Sequence, residues 1–280
     1  ISHFKTDLVT TMQQMFDQCN LLTSLDVSNF YTPRLTNVYN MFYNCYTMTY
    51  LNVSHMDTSN VDNFNGMFAN CQALTSLDVS NFDTKKAKYM PNMFNGCKTL
   101  KVLDLQNFYT PNLLEANSIF SFCESLTSIN ISNFNTSKAT NIAGMFAKCY
   151  KLTSIDITHF DTRNVKYFHY LFDNCQSLPD VDISNFDTRN AINIGHMFDQ
   201  CHSITSVNLS HFNTSQVTAM ENMFYNANQL KYLDVSTFNT EKVRNKSMDT
   251  VFISTGNLLF LNLSSFTIYN DTTINNFLSS

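Results

Sequence analysis

Cysteine occurs only at Cys19, Cys45, Cys71, Cys97, Cys123, Cys149, Cys175 and Cys201, each 26 residues after the one before. A constant interval leaves little freedom: each unit must take the same local path and pack on the units before and after it. Other residues keep the same beat. Phe stands three places before each cysteine, from Phe16 to Phe198, and Leu, Met or Ile three places after, from Leu22 to Ile204. Residues 1–280 are therefore expected to form a single solenoid of about ten units. Ile1 to Phe4 correspond to Val27 to Phe30, so the chain opens in mid-repeat and reads as a piece of a longer protein.

Within a unit, Leu22, Leu25 and Val27 have the L-x-x-L-x-L spacing of a leucine-rich repeat. The alternation of Leu25 inward, Asp26 outward and Val27 inward predicts a short strand. Leu35, Val38, Met41, Phe42 and Cys45 then fall at nearly helical intervals, which predicts a short α- or 3₁₀-helical return. The fold expected is a leucine-rich-repeat-like solenoid, with short parallel β-strands on one face and irregular or short helical segments on the other. Thr occupies one column without exception from Thr6 to Thr240, as a hydroxyl bonded to backbone at a turn would require. Two extra residues fall within 241–250, predicting an irregular repeat there, and residues 268–280 read as a frayed or capping end. A coarser period overlies the unit: Phe30-Tyr31-Thr32-Pro33 recurs three units later as Phe108-Tyr109-Thr110-Pro111, and Asn52, Asn130 and Asn208 keep the same three-unit spacing.

Stacked units bring the cysteines into a column about 5 Å apart and pointing the same way. A disulfide needs Cβ atoms about 3.8 Å apart and facing each other, so reduced, buried thiols are expected. A net charge of −5 with 14% charged residues argues against nucleic acid as a partner. No apolar run is long enough to insert this segment into a membrane.

The unit MFxxCxxLTSLDVSNFDTxxV, seen from Met67 through Thr84, resembles the 26-residue repeat of BspA-like bacterial and mycoplasma surface proteins. That resemblance implies a leucine-rich-repeat solenoid displayed on the cell surface or outside the cell, in mycoplasmas often as a lipoprotein, with adhesion as its usual suggested role and no catalytic residues. Where the common leucine-rich motif has Asn, this chain has Phe30, Phe82, Phe108, Phe134, Phe160, Phe186, Phe212 and Phe238, with Met56 as the exception.

Candidate contact residues are those that break or line the outward columns. Tyr50, Val102 and Tyr232 replace the usual Ser of the strand face, with Phe260 alongside them; Tyr and Phe on a stiff surface are what binding hot spots use. Between the two apolar strand positions every unit carries Asp or Asn. Only Asp78 with Asp104, and Asp156 with Asp182, put two carboxylates on adjacent rungs. These pairs read either as an acidic stripe for a basic partner or Ca²⁺, or as Asx groups that bond local backbone and fix register. His3, His55, His159 and His211 share a column but lie at least two rungs apart. Two rungs are about 10 Å, too far for a shared metal. No catalytic residue, metal site or cofactor is assigned. The function expected is non-enzymatic binding, with a protein or glycan at a host or neighbouring cell surface as partner. The alternative is a structural spacer, coat or filament subunit that self-associates through its solenoid ends.

Overall fold

The computed structural model describes residues 4–243, 248 and 250–267. Ile1 to His3, half of the irregular stretch expected at 241–250 and all of the end segment 268–280 lie outside the described residues. Coil stacks on coil around one uninterrupted apolar core that runs from Met12 to Phe252.

On one face the chain forms six three-residue strands: β1 Ser24–Asp26, β2 Tyr50–Asn52, β3 Val102–Asp104, β4 Ser128–Asn130, β5 Tyr232–Asp234 and β6 Phe260–Asn262. They pair in parallel as β1 with β2, β3 with β4 and β5 with β6. Ser24 faces Tyr50 and Val102 faces Ser128, one unit apart, whereas Tyr232 faces Phe260, two residues further on. The sheet is thus broken into three pairs. Each pair contains at least one good β-former at the outward first position, Tyr50, Val102, Tyr232 or Phe260, although one such residue is not sufficient, since Ser76 lies between Tyr50 and Val102 and pairs with neither. Coils with Ser76, Ser154 or Asp180 there form no strand, and Ser206 makes only a single bridge, to Tyr232.

The return face departs from the expected helix. Among the described residues there is no α-helix; the segment is a succession of β-turns. Two residues per coil have positive φ, such as Asn40 and Asn44, then Gly66 and Asn70, and a left-handed residue every fourth place cannot continue an α-helix. What the turns give up in local bonding they recover between coils. The Phe42 N–H donates to Met67 O at 2.9 Å, Phe68 to Met93 at 2.9 Å and Phe94 to Ile119 at 2.9 Å, and the series continues to Phe224 on Val251. Single parallel bridges from Thr11–Asn37 to Asn193–Ala219 run beside it. The turn face, not the strand face, therefore carries the unbroken backbone ladder.

Three side-chain ladders fill the interior. The Phe16, Phe42 and Phe68 rings stack at centroid distances of 5.5 and 5.7 Å, and this spine continues to Phe252. The second spine, Phe82 on Phe108 at 6.4 Å and onward, is interrupted at Met56. Beside the first spine, each Phe carbonyl from Phe16 to Phe172 accepts twice: from the N–H of the cysteine three residues on and from the S–H of the next coil's cysteine. Phe42 O, for instance, takes Cys45 N at 3.4 Å and Cys71 Sγ at 3.2 Å. All eight cysteines are free, and only Cys19 is more than marginally exposed. Burial pushes the Cys45 thiol up to about 11 and the Cys123 thiol up to about 12.

The threonines form the third ladder, and most of their hydroxyls act twice; Thr6 and Thr84 only donate, to Tyr31 O and Tyr109 O. Thr136 Oγ1 accepts the N–H of Asp161 at 2.9 Å and donates to the carbonyl of the same residue at 3.0 Å. Thr58, Thr162 and Thr188 do the same with Asp83, Asp187 and Asn213. Valine has the same shape and neither bond, which explains why the column accepts only Thr.

Candidate functional site

The strand face presents the residues singled out in the sequence. Tyr50 on β2, Val102 on β3, Tyr232 on β5 and Phe260 on β6 are 54%, 60%, 57% and 49% exposed. They do not form one patch. Tyr50 and Val102 are two coils apart, about 10 Å, and Val102 and Tyr232 five coils apart, about 24 Å. Tyr232 and Phe260 are direct cross-strand partners, and Leu259 beside them is largely exposed as well.

The acidic column has a local bonding role. Asp78, Asp104, Asp156 and Asp182 each accept the N–H two residues on, from Ser80, Gln106, Thr158 and Ser184, at 2.9 to 3.1 Å. Asp26, Asp234 and the asparagines of the column do the same. Each is an Asx turn that ends the strand and turns the chain toward the phenylalanine. The hydroxyl and backbone N–H of Ser80, Thr158 and Ser184 hold Asp78, Asp156 and Asp182 below the usual carboxylate range. Asp156 and Asp182 also sense each other, and the charge on Asp156 opposes ionisation of Asp182. Asp78, Asp104 and Val102 share the walls of an open groove of about 420 Å³, where the strands fail to pair.

The histidine column is also tied to backbone. His55 Nδ1 lies 2.8 Å from Ser28 O and His211 Nε2 2.9 Å from Ile183 O. Asparagines do this elsewhere in the column, as where Asn107 Nδ2 donates to Val79 O and Phe82 O of the previous coil. Among the described residues no group of three or more His, Cys, Asp or Glu side chains is placed to hold a metal ion.

One cluster is not announced by the columns. On the return face Tyr170 stacks on His196 at 4.3 Å, and His196 Nδ1 lies 2.8 Å from Asp199 Oδ2. Asp173 on the neighbouring coil is buried, which raises its carboxyl above the usual range. Tyr170 takes a left-handed φ of 60°, uncommon for a bulky side chain, and His196 one of 57°, at positions where other coils have Gln, Asn, Gly or Ser. The sequence signal is therefore a substitution against the column rather than a motif.

Five overlapping stretches, residues 1–73, 38–154, 92–206, 140–259 and 196–279, match the family described as Mycoplasma protein of unknown function, DUF285. The chain belongs to that family. This bears out the resemblance to BspA-like surface proteins read from the repeat. Among solved structures, this DUF285 chain is similar to a leucine-rich repeat protein from Bacteroides ovatus, with 17% identity and a TM-score of 0.57. The match covers 88% of this chain and 56% of that one, so the DUF285 chain spans little more than half the length of its relative. At that identity the likeness shows the fold, a leucine-rich-repeat solenoid. A leucine-rich cell surface protein from Faecalibacterium prausnitzii is 14% identical over 88% of this chain and 81% of that one, with a TM-score of 0.35. Among proteins of curated function, none matches.

Proposed function

We propose that this DUF285 solenoid is a non-enzymatic binding scaffold that presents its strand face to a protein outside the cell, in an adhesive role. The observation that carries this reading is the Tyr232–Phe260 pair. Two aromatic side chains, each about half exposed, stand side by side on β-strands that fix their backbones. Aromatic anchors held on a rigid element lose little entropy on binding, and a solenoid offers a wide surface to go with them. Tyr50 and the groove formed by Val102, Asp78 and Asp104 lie on the same face and would extend the contact to a partner with basic groups. The test is binding of the intact chain to a panel of secreted and cell-surface proteins. A Tyr232→Ser, Phe260→Ser double variant should weaken any captured partner at least tenfold with the circular dichroism spectrum unchanged. Unaltered affinity would refute the site, and a glycan captured through Tyr232 and Phe260 in place of a protein would refute the partner class. Immunolabelling of intact cells tests display at the surface.

A further inference from the structure

The three-unit period acquires a physical meaning on the return face, which has two grooves of about 420 and 390 Å³. Every residue lining the smaller groove has its counterpart three coils on, in the larger. The floor of one is Gly66 and Ala69, and that of the other Gly144 and Ala147. At these positions the coils on either side carry Asn40 and Tyr43, Asn92 and Asn95, Ser118 and Ser121, Tyr170 and Asp173. A coil that has lost both outward side chains leaves a trench one rung wide between neighbours that keep theirs. Positive φ alone does not demand Gly, because Asn40, Asn92 and Ser118 adopt it in the same column. What is particular to Gly66 and Gly144 is the missing side chain; a Cβ at Gly66 would come within 2.0 Å of Asn40 Oδ1.

The walls hold polar groups without partners among the described residues. Ser121, 4% exposed, has a hydroxyl that bonds none of them. Asp173, 6% exposed, uses Oδ1 to accept Asn174 Nδ2 at 2.8 Å, while its other oxygen has no hydrogen-bond partner among the described residues. His169 Nδ1 is buried and unpaired. In the smaller groove the side chains of Asn40 and Tyr43 likewise bond no other described residue. Of these, His169 Nδ1 is the atom shut off from solvent, and a ligand hydroxyl that reached it would offset the cost of leaving it unpaired, while the Ser121 hydroxyl and the second Asp173 oxygen keep free bonding capacity at the groove surface. Aromatic rings flank both trenches. Tyr170 has one face covered by His196, and Phe122 stands opposite under Lys148 Nζ at 4.4 Å in one; Tyr39 and Tyr43 line the other.

We propose that the return face carries two homologous binding grooves for neutral oligosaccharide, at Gly66/Ala69 and Gly144/Ala147. Sugar hydroxyls both donate and accept, as do the Ser, Asn and Tyr groups of the walls, and the C–H faces of a pyranose ring pack on aromatic rings. An extended peptide is a poorer occupant. It would need free backbone groups for strand addition, but Gly66 N–H already donates to Pro91 O and Gly144 N–H to His169 O. The grooves lie three coils, about 14 Å, apart, close enough for one carbohydrate chain to engage both. This inference does not rest on the strand-face reading.

The test uses the full chain with N-acetylchitotriose, cellotriose and maltotriose, followed by saturation-transfer difference NMR and calorimetry. At least one should bind saturably with Kd of about 1 mM or tighter. An Ala69→Gln, Ala147→Gln variant, which fills both trenches, should lower the association constant at least tenfold. Should that variant fail to fold, Ser121→Ala with Asp173→Ala and Tyr43→Ala with Asn95→Ala remove the polar walls instead and should have the same effect. Tyr232→Ser on the opposite face should leave sugar binding unchanged. The proposal is overturned if none of the three sugars binds, if binding survives the groove variants, or if Tyr232→Ser abolishes it.

Discussion

Replacing Thr136 by Val tests whether the threonine column is held by its hydroxyl or by its volume. Thr136 is buried, and its hydroxyl is the partner of both the N–H and the carbonyl of Asp161. Valine keeps the shape and leaves two backbone groups unpaired inside a coil junction. Each such group costs about 1–3 kcal/mol, so the substitution should destabilise by about 2–4 kcal/mol once the junction relaxes. Serine keeps both bonds and loses one methyl, worth about 1 kcal/mol. For a chain of this size the difference corresponds to a drop in Tm of about 5–10 °C for Thr136→Val and a few degrees for Thr136→Ser. Thermal unfolding followed by far-ultraviolet circular dichroism reads both. Because each coil touches only its neighbours, a weakened junction can also split the transition in two, and this would place the damage between the coils carrying Thr136 and Asp161. The reasoning is refuted if Thr136→Val is as stable as Thr136→Ser, since the hydroxyl would then contribute nothing beyond filling space.

Native protein at pH 8 should show one thiol accessible to a disulfide reagent, Cys19, with the other seven reacting only on unfolding; rapid reaction of several would contradict the buried column. Burial raises the folded-state Cys45 thiol to about 11 from an ordinary value of about 9, so its contribution is fully present below about pH 9 and is lost as the pH rises toward 11. The urea midpoint should fall across that window, and less steeply in Cys45→Ala. If the outward residue decides where strands pair, Tyr50→Ser should speed hydrogen exchange of the Val27 amide, bonded to Asn52 O at 3.0 Å, by up to about fivefold. Ser154→Tyr should slow exchange on its own coil, and no change in either variant would sink the explanation.

The stacking is legible because one interval governs the chain: the Cys, Phe and Thr columns follow once coils are superposed. The return path misleads for an identifiable reason. Leu35, Val38, Met41, Phe42 and Cys45 are spaced as on a helix face, but consecutive β-turns also turn a side chain inward every three or four residues. The distinguishing letters are Asn40, Asn44, Gly66, Asn70 and Asn92, residues that tolerate left-handed φ, recurring where a helix would carry Ala, Glu or Lys. The break-up of the sheet is also partly written in the sequence: each strand pair has Tyr50, Val102, Tyr232 or Phe260 at the first strand position, and the coils without a strand have Ser or Asp there. It emerges only when β-propensity is compared coil by coil instead of averaged over the repeat.

Sites are harder to read than the fold in such a chain because the repeat supplies its own explanation for nearly every residue. The acidic column illustrates this: Asp78, Asp104, Asp156 and Asp182 are tied by the same Asx bond that Asn52 and Asn262 make in their places, so the turn alone accounts for their presence. A residue carries information about a partner only where it costs the coil something that another letter would not. Tyr170 in the left-handed region meets that criterion, as does the buried, unpaired Nδ1 of His169. Gly66 with Ala69 and Gly144 with Ala147 meet it by forgoing side-chain contacts that other coils make. Tyr50 and Tyr232 meet it only in part, since as β-formers they also stabilise the strands they stand on. By this measure the turn face, on which the backbone ladder is complete and side chains are freed from holding the coils together, departs furthest from what the repeat requires.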